Sequence, residues 1–316
     1  MVIDDARIFI KENMRAMFFS FFTLAFLAAC SPVEDSPSPM PETGTGETDG
    51  YTLVWEDGFN GGSLDAANWK IEVNGDGNGN AELQYYCREN VAVGKDADYG
   101  NGCLILTARR EDYHGRKFTS GRINTGGHYE FTYGKVEASI RLPETANGLW
   151  PAFWLLGADY GEVGWPKCGE IDILEMGNAE GIRKSAQDRY FNGACHWGFY
   201  RDNVYPNYAK ASTWDYSLQD GKYHLYTLIW DESAVRMYVD LDRYPDARPY
   251  YEMGITDVSD DWGVGHYFHH DYFIIFNLAV GGYFTGILGD AGITALPEAG
   301  DEAKMYVDFV KVYQKK

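Results

Sequence analysis

Apolar and polar residues alternate along much of this chain with a period of two. Val235, Met237, Val239 and Leu241 are interleaved with Arg236, Tyr238 and Asp240. Val136, Ala138, Ile140 and Leu142 are interleaved in the same way with Glu137, Ser139 and Arg141. Successive side chains of a strand point to opposite faces, so each run predicts a half-buried β-strand. Runs with the 3.6-residue period of an amphipathic helix are almost absent. Clusters of Gly, Asn and Asp, such as residues 74–80, punctuate the strand-like segments and predict turns. There is no repeat of fixed period. The pattern predicts an all-β fold, a two-sheet antiparallel β-sandwich.

The N-terminal segments break this pattern. Met17 to Ala29 is an unbroken, mostly apolar run preceded by Lys11 and Arg15. A basic start, a short apolar stretch and small residues before a break predict a signal peptide over 1–29, too short to span a membrane. Residues 1–13 carry acids unusual in such a segment, which makes Met14 or Met17 the expected start. The ending Leu27-Ala28-Ala29-Cys30 resembles a bacterial lipobox, with Cys30 as the lipidated first residue of the mature chain. Residues 31–50, rich in Pro, Ser, Thr and Gly, bury too little apolar area to fold and read as a flexible tether. Residues 51–316 then form one large domain, burying roughly three quarters of its unfolded surface. The expectation is an exported protein tied to a bacterial membrane, at the outer membrane or cell surface, through a lipid anchor alone.

With 27 basic against 47 acidic residues, the formal net charge is -20. That balance argues against nucleic acid and anionic polymers as partners, since both require a basic stripe, and is compatible with a neutral sugar polymer. Cys87, Cys103, Cys168 and Cys195 leave three disulfide pairings open. No Cys-x-x-Cys suggests a zinc cluster. The glycine-rich 74–79 segment lacks the Lys-Ser/Thr of a phosphate loop and the spacing of a twelve-residue calcium loop.

The chemistry concentrates in Gly169-Glu170-Ile171-Asp172-Ile173-Leu174-Glu175. On a strand, Glu170 and Asp172 share one face and Glu175 has the wrong parity. One extra residue, a β-bulge at Ile173-Leu174, restores it, leaving Ile171 and one of Ile173 or Leu174 pointing into the core. Like charges held this close push their pKa values apart. One carboxylate then serves as nucleophile and another keeps its proton as general acid, the division that glycosidic-bond hydrolysis requires. Trp150 and Trp154 upstream and His196-Trp197 downstream suggest a sugar cleft, because indole faces cover the apolar faces of pyranose rings.

At this point the chain resembles glycoside hydrolase family 16, on the laminarinase-like side with the bulged Glu-x-Asp-x-x-Glu motif. Further segments resemble that family in order: Asn80 to Tyr86, Arg122-Ile123-Asn124-Thr125, Tyr133 to Glu137, the Trp-Pro-Ala-Phe-Trp run at 150–154, Asn277 to Gly282 and Tyr306 to Val310. The resemblance covers roughly residues 51 to 316. It implies a β-jelly roll of the concanavalin A-like kind with a concave substrate cleft, and a monomeric, retaining endo-β-glycosidase acting on a polysaccharide or glycan chain. It implies Glu170 as nucleophile, Asp172 as its assistant and Glu175 as acid/base. It places Trp150, Trp154, His196, Trp197, Arg122 and Asn80 against the substrate and Trp165 at the rim. No cofactor is implied for catalysis. A structural calcium is implied near Asp308 and the main chain of Glu56 and Gly102. The leading substrate is β-1,3-glucan or mixed-linkage β-1,3-1,4-glucan. The segment from Met176 to Cys195 departs from the plain laminarinase pattern and keeps an endo-β-1,4-galactosidase of poly-N-acetyllactosamine, mucin O-glycans or galactans as the alternative. A non-catalytic sugar-binding lipoprotein is more remote, since all three acids are present.

Overall fold

A computed structural model describes residues 47–315 except 49. The expected signal peptide, Cys30 and residues 31–46 of the tether lie outside the described residues. Two sheets face one another. The smaller has seven strands in the order Asn207–Thr213, Tyr190–His196, Glu170–Met176, Leu149–Gly157, Tyr272–Val280, Arg122–Asn124, Lys70–Ile71. The larger has eleven strands, centred on Gly134–Arg141 and the long C-terminal Glu302–Lys315. Pairing between strands is antiparallel, except that Gln84–Tyr86 runs parallel to Arg116–Ser120.

The inward residues of both sheets interdigitate in one cluster. Phe153, Ile171, Ile173, Leu174, Phe276 and Leu278 of the smaller sheet meet Leu104, Leu106, Val136, Ile140, Leu228 and Val310 of the larger. Each such side chain contributes roughly 1.5–3 kcal/mol on burial. Strand Tyr272–Val280 is buried along its whole length. Its outer face is covered too, because Phe273 and Ile275 join Leu156 and Cys168 in a second apolar cluster, with Trp154 packed against it.

The strand predicted through Leu241 ends at Val239. Asp240 takes a positive φ of 53°, which ends the extended run. Its buried carboxylate accepts hydrogen bonds from the Leu225 amide at 3.0 Å and the Tyr216 hydroxyl at 2.8 Å, and meets His224 Nδ1 at 2.7 Å. The 74–79 segment is a loop. Among the described residues α-helix is confined to Tyr160–Val163 and Ala179–Arg183, the second capped by Asn178, whose side chain accepts from the Glu180 amide at 2.7 Å. Cys87, Cys103, Cys168 and Cys195 are all buried free thiols.

Candidate active site

Strand Glu170–Met176 slips register by one residue against both neighbours. On one side Asp172 faces Ala194 and Glu175 faces Asn192, so Ile173 and Leu174 together oppose Gly193. On the other, Trp154 faces Asp172 and Phe153 faces Leu174, leaving Ile173 without a partner. This is a β-bulge at Ile173-Leu174. Both residues are fully buried, not one of them as the alternation suggested. The Tyr250 hydroxyl donates to the carbonyl of Ile173, pairing a backbone acceptor at the bulge. Gly193 leaves the room this needs. A Cβ there would stand 2.9 Å from both Met237 Sδ and the Tyr250 ring.

The bulge puts Glu170, Asp172 and Glu175 on one face. Leu156, Trp154 and Ala152 lie opposite them on one flanking strand, and His196, Ala194 and Asn192 on the other. Each outer glutamate receives an indole N–H: Trp165 Nε1 donates to Glu170 Oε2 and Trp150 Nε1 to Glu175 Oε1, both at 3.1 Å. His196 Nε2 stands 3.4 Å from Asp172 Oδ2 and 3.9 Å from Glu170 Oε1, while its Nδ1 meets the Tyr205 hydroxyl at 3.2 Å.

All three carboxyls are pushed above their ordinary range. Burial is the main cause for each. Glu170 rises to about 8 through burial and the neighbouring Asp172, opposed by His196, the Trp165 N–H and Arg122. Glu175 is raised well above its usual value by burial, Asp172 and Glu170, opposed by His196 and the Trp150 N–H. Asp172 is raised well above its own by burial. Glu170 thus has the fuller set of groups favouring its ionised form, and Glu175 is the better holder of a proton. Two carboxyls so differentiated can supply one nucleophile and one acid/base.

The other expected residues divide. Arg122 reaches the site: its guanidinium lies 4.9 Å from the centroid of Trp154 and pairs with Glu72 at 2.9 Å. Trp154 donates to Asn277 Oδ1 at 2.7 Å. Trp150 is on the acid face but is only 8% exposed. Its ring stacks on Phe284 at 4.6 Å, so that face is closed to sugar. Trp197 follows His196 with opposite parity. It packs on core Phe268 and donates to the Trp262 carbonyl at 2.8 Å, away from the acids. Asn80 is exposed in a loop whose carbonyl accepts from the Tyr283 amide at 2.8 Å. Trp165, 36% exposed, forms an aromatic wall with Tyr200 and Tyr205 beside Glu170. Those tyrosines and Asn192 were not among the expected residues. Counting back by twos from His196 reaches Asn192, and aromatics at 199, 200 and 205 crowd an otherwise polar loop.

The calcium donors fit in part. Asp308 sits at a second bulge, on the C-terminal strand, where it accepts from Asn101, and Asn101 Oδ1 is buried without a partner. Beside Gly102 stand the Phe59 carbonyl and Asn60 Oδ1, an oxygen set of the kind calcium takes. Glu56, expected to contribute through its main chain, is exposed on its strand opposite Lys311.

The family model "Glycosyl hydrolases family 16" matches residues 84–251. The chain is 35% identical to the clotting factor G alpha subunit of Tachypleus tridentatus over 84% of its own length, and spans only 34% of that protein. It is 34% identical to a beta-glucanase of Rhodothermus marinus over 96% of both chains. Among solved structures it is similar to a Bacteroides ovatus protein, "mixed linkage glucan PUL (MLGUL) GH16 in complex with G4G4G3G Product", at 40% identity and a TM-score of 0.71, covering 82% of this chain and 99% of that one. A family model matched over half of the chain and relatives of 34–40% identity covered almost end to end give the conclusion: this protein belongs to glycoside hydrolase family 16.

Proposed function

We propose that the protein is a retaining endo-β-glucanase that cuts internal bonds of glucans containing β-1,3 linkages, mixed-linkage β-1,3-1,4-glucan foremost. The observation that carries the reading is the bulge that turns Glu175 onto the face of Glu170 and Asp172. Glu170 attacks the anomeric carbon while Glu175 protonates the leaving oxygen. A covalent glycosyl-enzyme forms, and Glu175 then takes a proton from the attacking water. Both displacements invert, so the β configuration is kept. The Trp165 N–H holds Glu170, the Trp150 N–H holds Glu175, and Asp172 between them sets the charge of the pair. Arg122, Trp154 and Asn277 bind sugar on one side of the acids, and His196, Tyr205, Tyr200 and Trp165 on the other. The two carboxylates carry both steps, so the scheme requires no cofactor.

The test is product sizing with mixed-linkage glucan, laminarin, agarose-type galactan and mucin glycans. Mixed-linkage glucan should give a rapid fall in chain length and a ladder of oligosaccharides. Cleavage of galactan or mucin glycans alone would favour the galactosidase reading. Glu170→Gln and Glu175→Gln should each lose several orders of magnitude in kcat, with a smaller loss for Asp172→Asn. Near-normal turnover in either glutamine variant would refute the assignment.

We also propose that the enzyme is an exported lipoprotein anchored through Cys30, on the strength of Leu27-Ala28-Ala29-Cys30 and the tether that follows. Wild-type protein should partition with membranes and Cys30→Ala should not. Finally, we propose a structural calcium held by Asp308, the Phe59 carbonyl and Asn60. Calcium removal should lower Tm, and an unchanged Tm would argue against it.

A further inference from the structure

The site offers more than a pair of carboxylates. Glu170, Asp172 and His196 each present one donor atom, all within 4.8 Å of one another. Asp172 is only 5% exposed, and its Oδ2 has no hydrogen-bond partner. A buried polar atom left unpaired is costly and calls for a partner. That oxygen lies 3.4 Å from His196 Nε2. Two donors bound to one ion at about 2.0–2.2 Å in tetrahedral geometry stand about 3.4 Å apart, so Asp172 and His196 already have the span, and Glu170 Oε1, 3.9 Å from His196 Nε2, completes the set by a small side-chain shift. His196 is also held as a metal-binding imidazole is held, with its other nitrogen 3.2 Å from the Tyr205 hydroxyl. One imidazole and two carboxylates favour a borderline transition ion over calcium or magnesium, which take all-oxygen shells.

We propose that the substrate-free enzyme binds one divalent transition-metal ion, of the Zn2+/Cu2+ class, across Glu170, Asp172 and His196, and that this ion inhibits hydrolysis competitively. The inference rests on the catalytic assignment above. The ion occupies a lone pair of the nucleophile Glu170 and offsets the mutual repulsion of the acids. It also fills the space beside Glu170 that the reacting sugar must enter. Sugar and ion therefore exclude one another.

The experiment uses the full-length protein with calcium kept constant and adventitious zinc removed by a zinc-selective chelator. Zn2+ binding is followed by calorimetry and by thermal shift, independently of activity, and inhibition is measured at several substrate concentrations. One Zn2+ should bind, raise the apparent KM and leave kcat unchanged, with reversal by the chelator. Added Ca2+ should not reproduce the effect. Tyr205→Phe should weaken Zn2+ binding roughly tenfold through the lost support of His196. His196→Gln and Glu170→Gln should abolish the thermal shift. Undiminished Zn2+ binding in both of those variants, inhibition that lowers kcat at unchanged KM, or no binding to wild type would overturn the proposal. Zinc-free turnover of Glu170→Gln and Glu175→Gln separates the two failures. If both are inactive while Zn2+ does not bind, only the metal inference falls. If either turns over normally, the catalytic assignment falls with it.

Discussion

Trp150 shows how a residue can be placed on the right face and still have a different task. Strand parity sets it beside the acids, and an indole near carboxylates reads as a sugar platform. The structure closes its ring against Phe284 and points its N–H at Glu175. Position on a face follows from period two, but what covers that face comes from residues far away, here Phe284. Trp197 is the converse case, since one step past His196 the parity turns it into the core. Trp150→Phe tests the reassignment. The ring and its stack remain, and the donor to Glu175 is lost. That donor favours the ionised carboxylate, so its removal should raise the Glu175 pKa and move the alkaline limb of the kcat/KM profile to higher pH. A hydrogen bond of about 0.5–1.5 kcal/mol corresponds to a roughly 2- to 10-fold loss in kcat. An unchanged pH profile would show that the contact is packing alone. Trp150→Ala should in addition destabilise the fold by about 3–5 kcal/mol.

One strand, Glu170–Met176, carries most of what could be read in advance. Three acids with mismatched parity, the last set off by two large aliphatic residues, leave a bulge as the way to bring them to one face without turning Glu175 into the apolar core. The element that accommodates the bulge was not legible. Gly193 lies opposite it, and its need for a bare Cα arises from Met237 and Tyr250, remote in sequence. Gly193→Ala places a methyl 2.9 Å from both side chains. Such overpacking should cost about 1–3 kcal/mol. Denaturant unfolding should show a lower midpoint at unchanged m, with kcat reduced as the acids shift. A midpoint equal to that of wild type would mean that the bulge tolerates a filled position, and Gly193 would then be incidental. The same limit applies to strand ends. Alternation carried the prediction through Leu241, and only the hydrogen bonds of Asp240 to Leu225, Tyr216 and His224 explain why the strand stops at Val239.

At the scale of the whole molecule, the alternating pattern and turn clusters were enough for two packed sheets, and the order of the strands came only with the structure. That architecture builds its catalytic site at a cost in stability. Three carboxyls are held close together on an apolar floor, and all three are harder to ionise than in the unfolded chain. For Glu170 the unfolded group titrates near 4.5 and the folded one at about 8. Between those values the folded state keeps a proton that the unfolded state has released. Stability therefore falls as pH rises through that window and levels off above it. Each tenfold change in proton affinity is worth about 1.4 kcal/mol. With its side chain 16% exposed, Glu170 alone can cost on the order of a few kcal/mol at pH 8. Glu170→Gln removes the titration and one of the mutually repelling charges. Its Tm should match wild type near pH 4 and exceed it increasingly from pH 4.5 to 8, at about 2–4 °C per kcal/mol. The gain should persist without added substrate and with calcium held constant, so that neither ligand contributes. A Tm difference that is flat across this range, or one that favours wild type at pH 8, would mean that Glu170 is already ionised at low pH and that the folded site stabilises its charge.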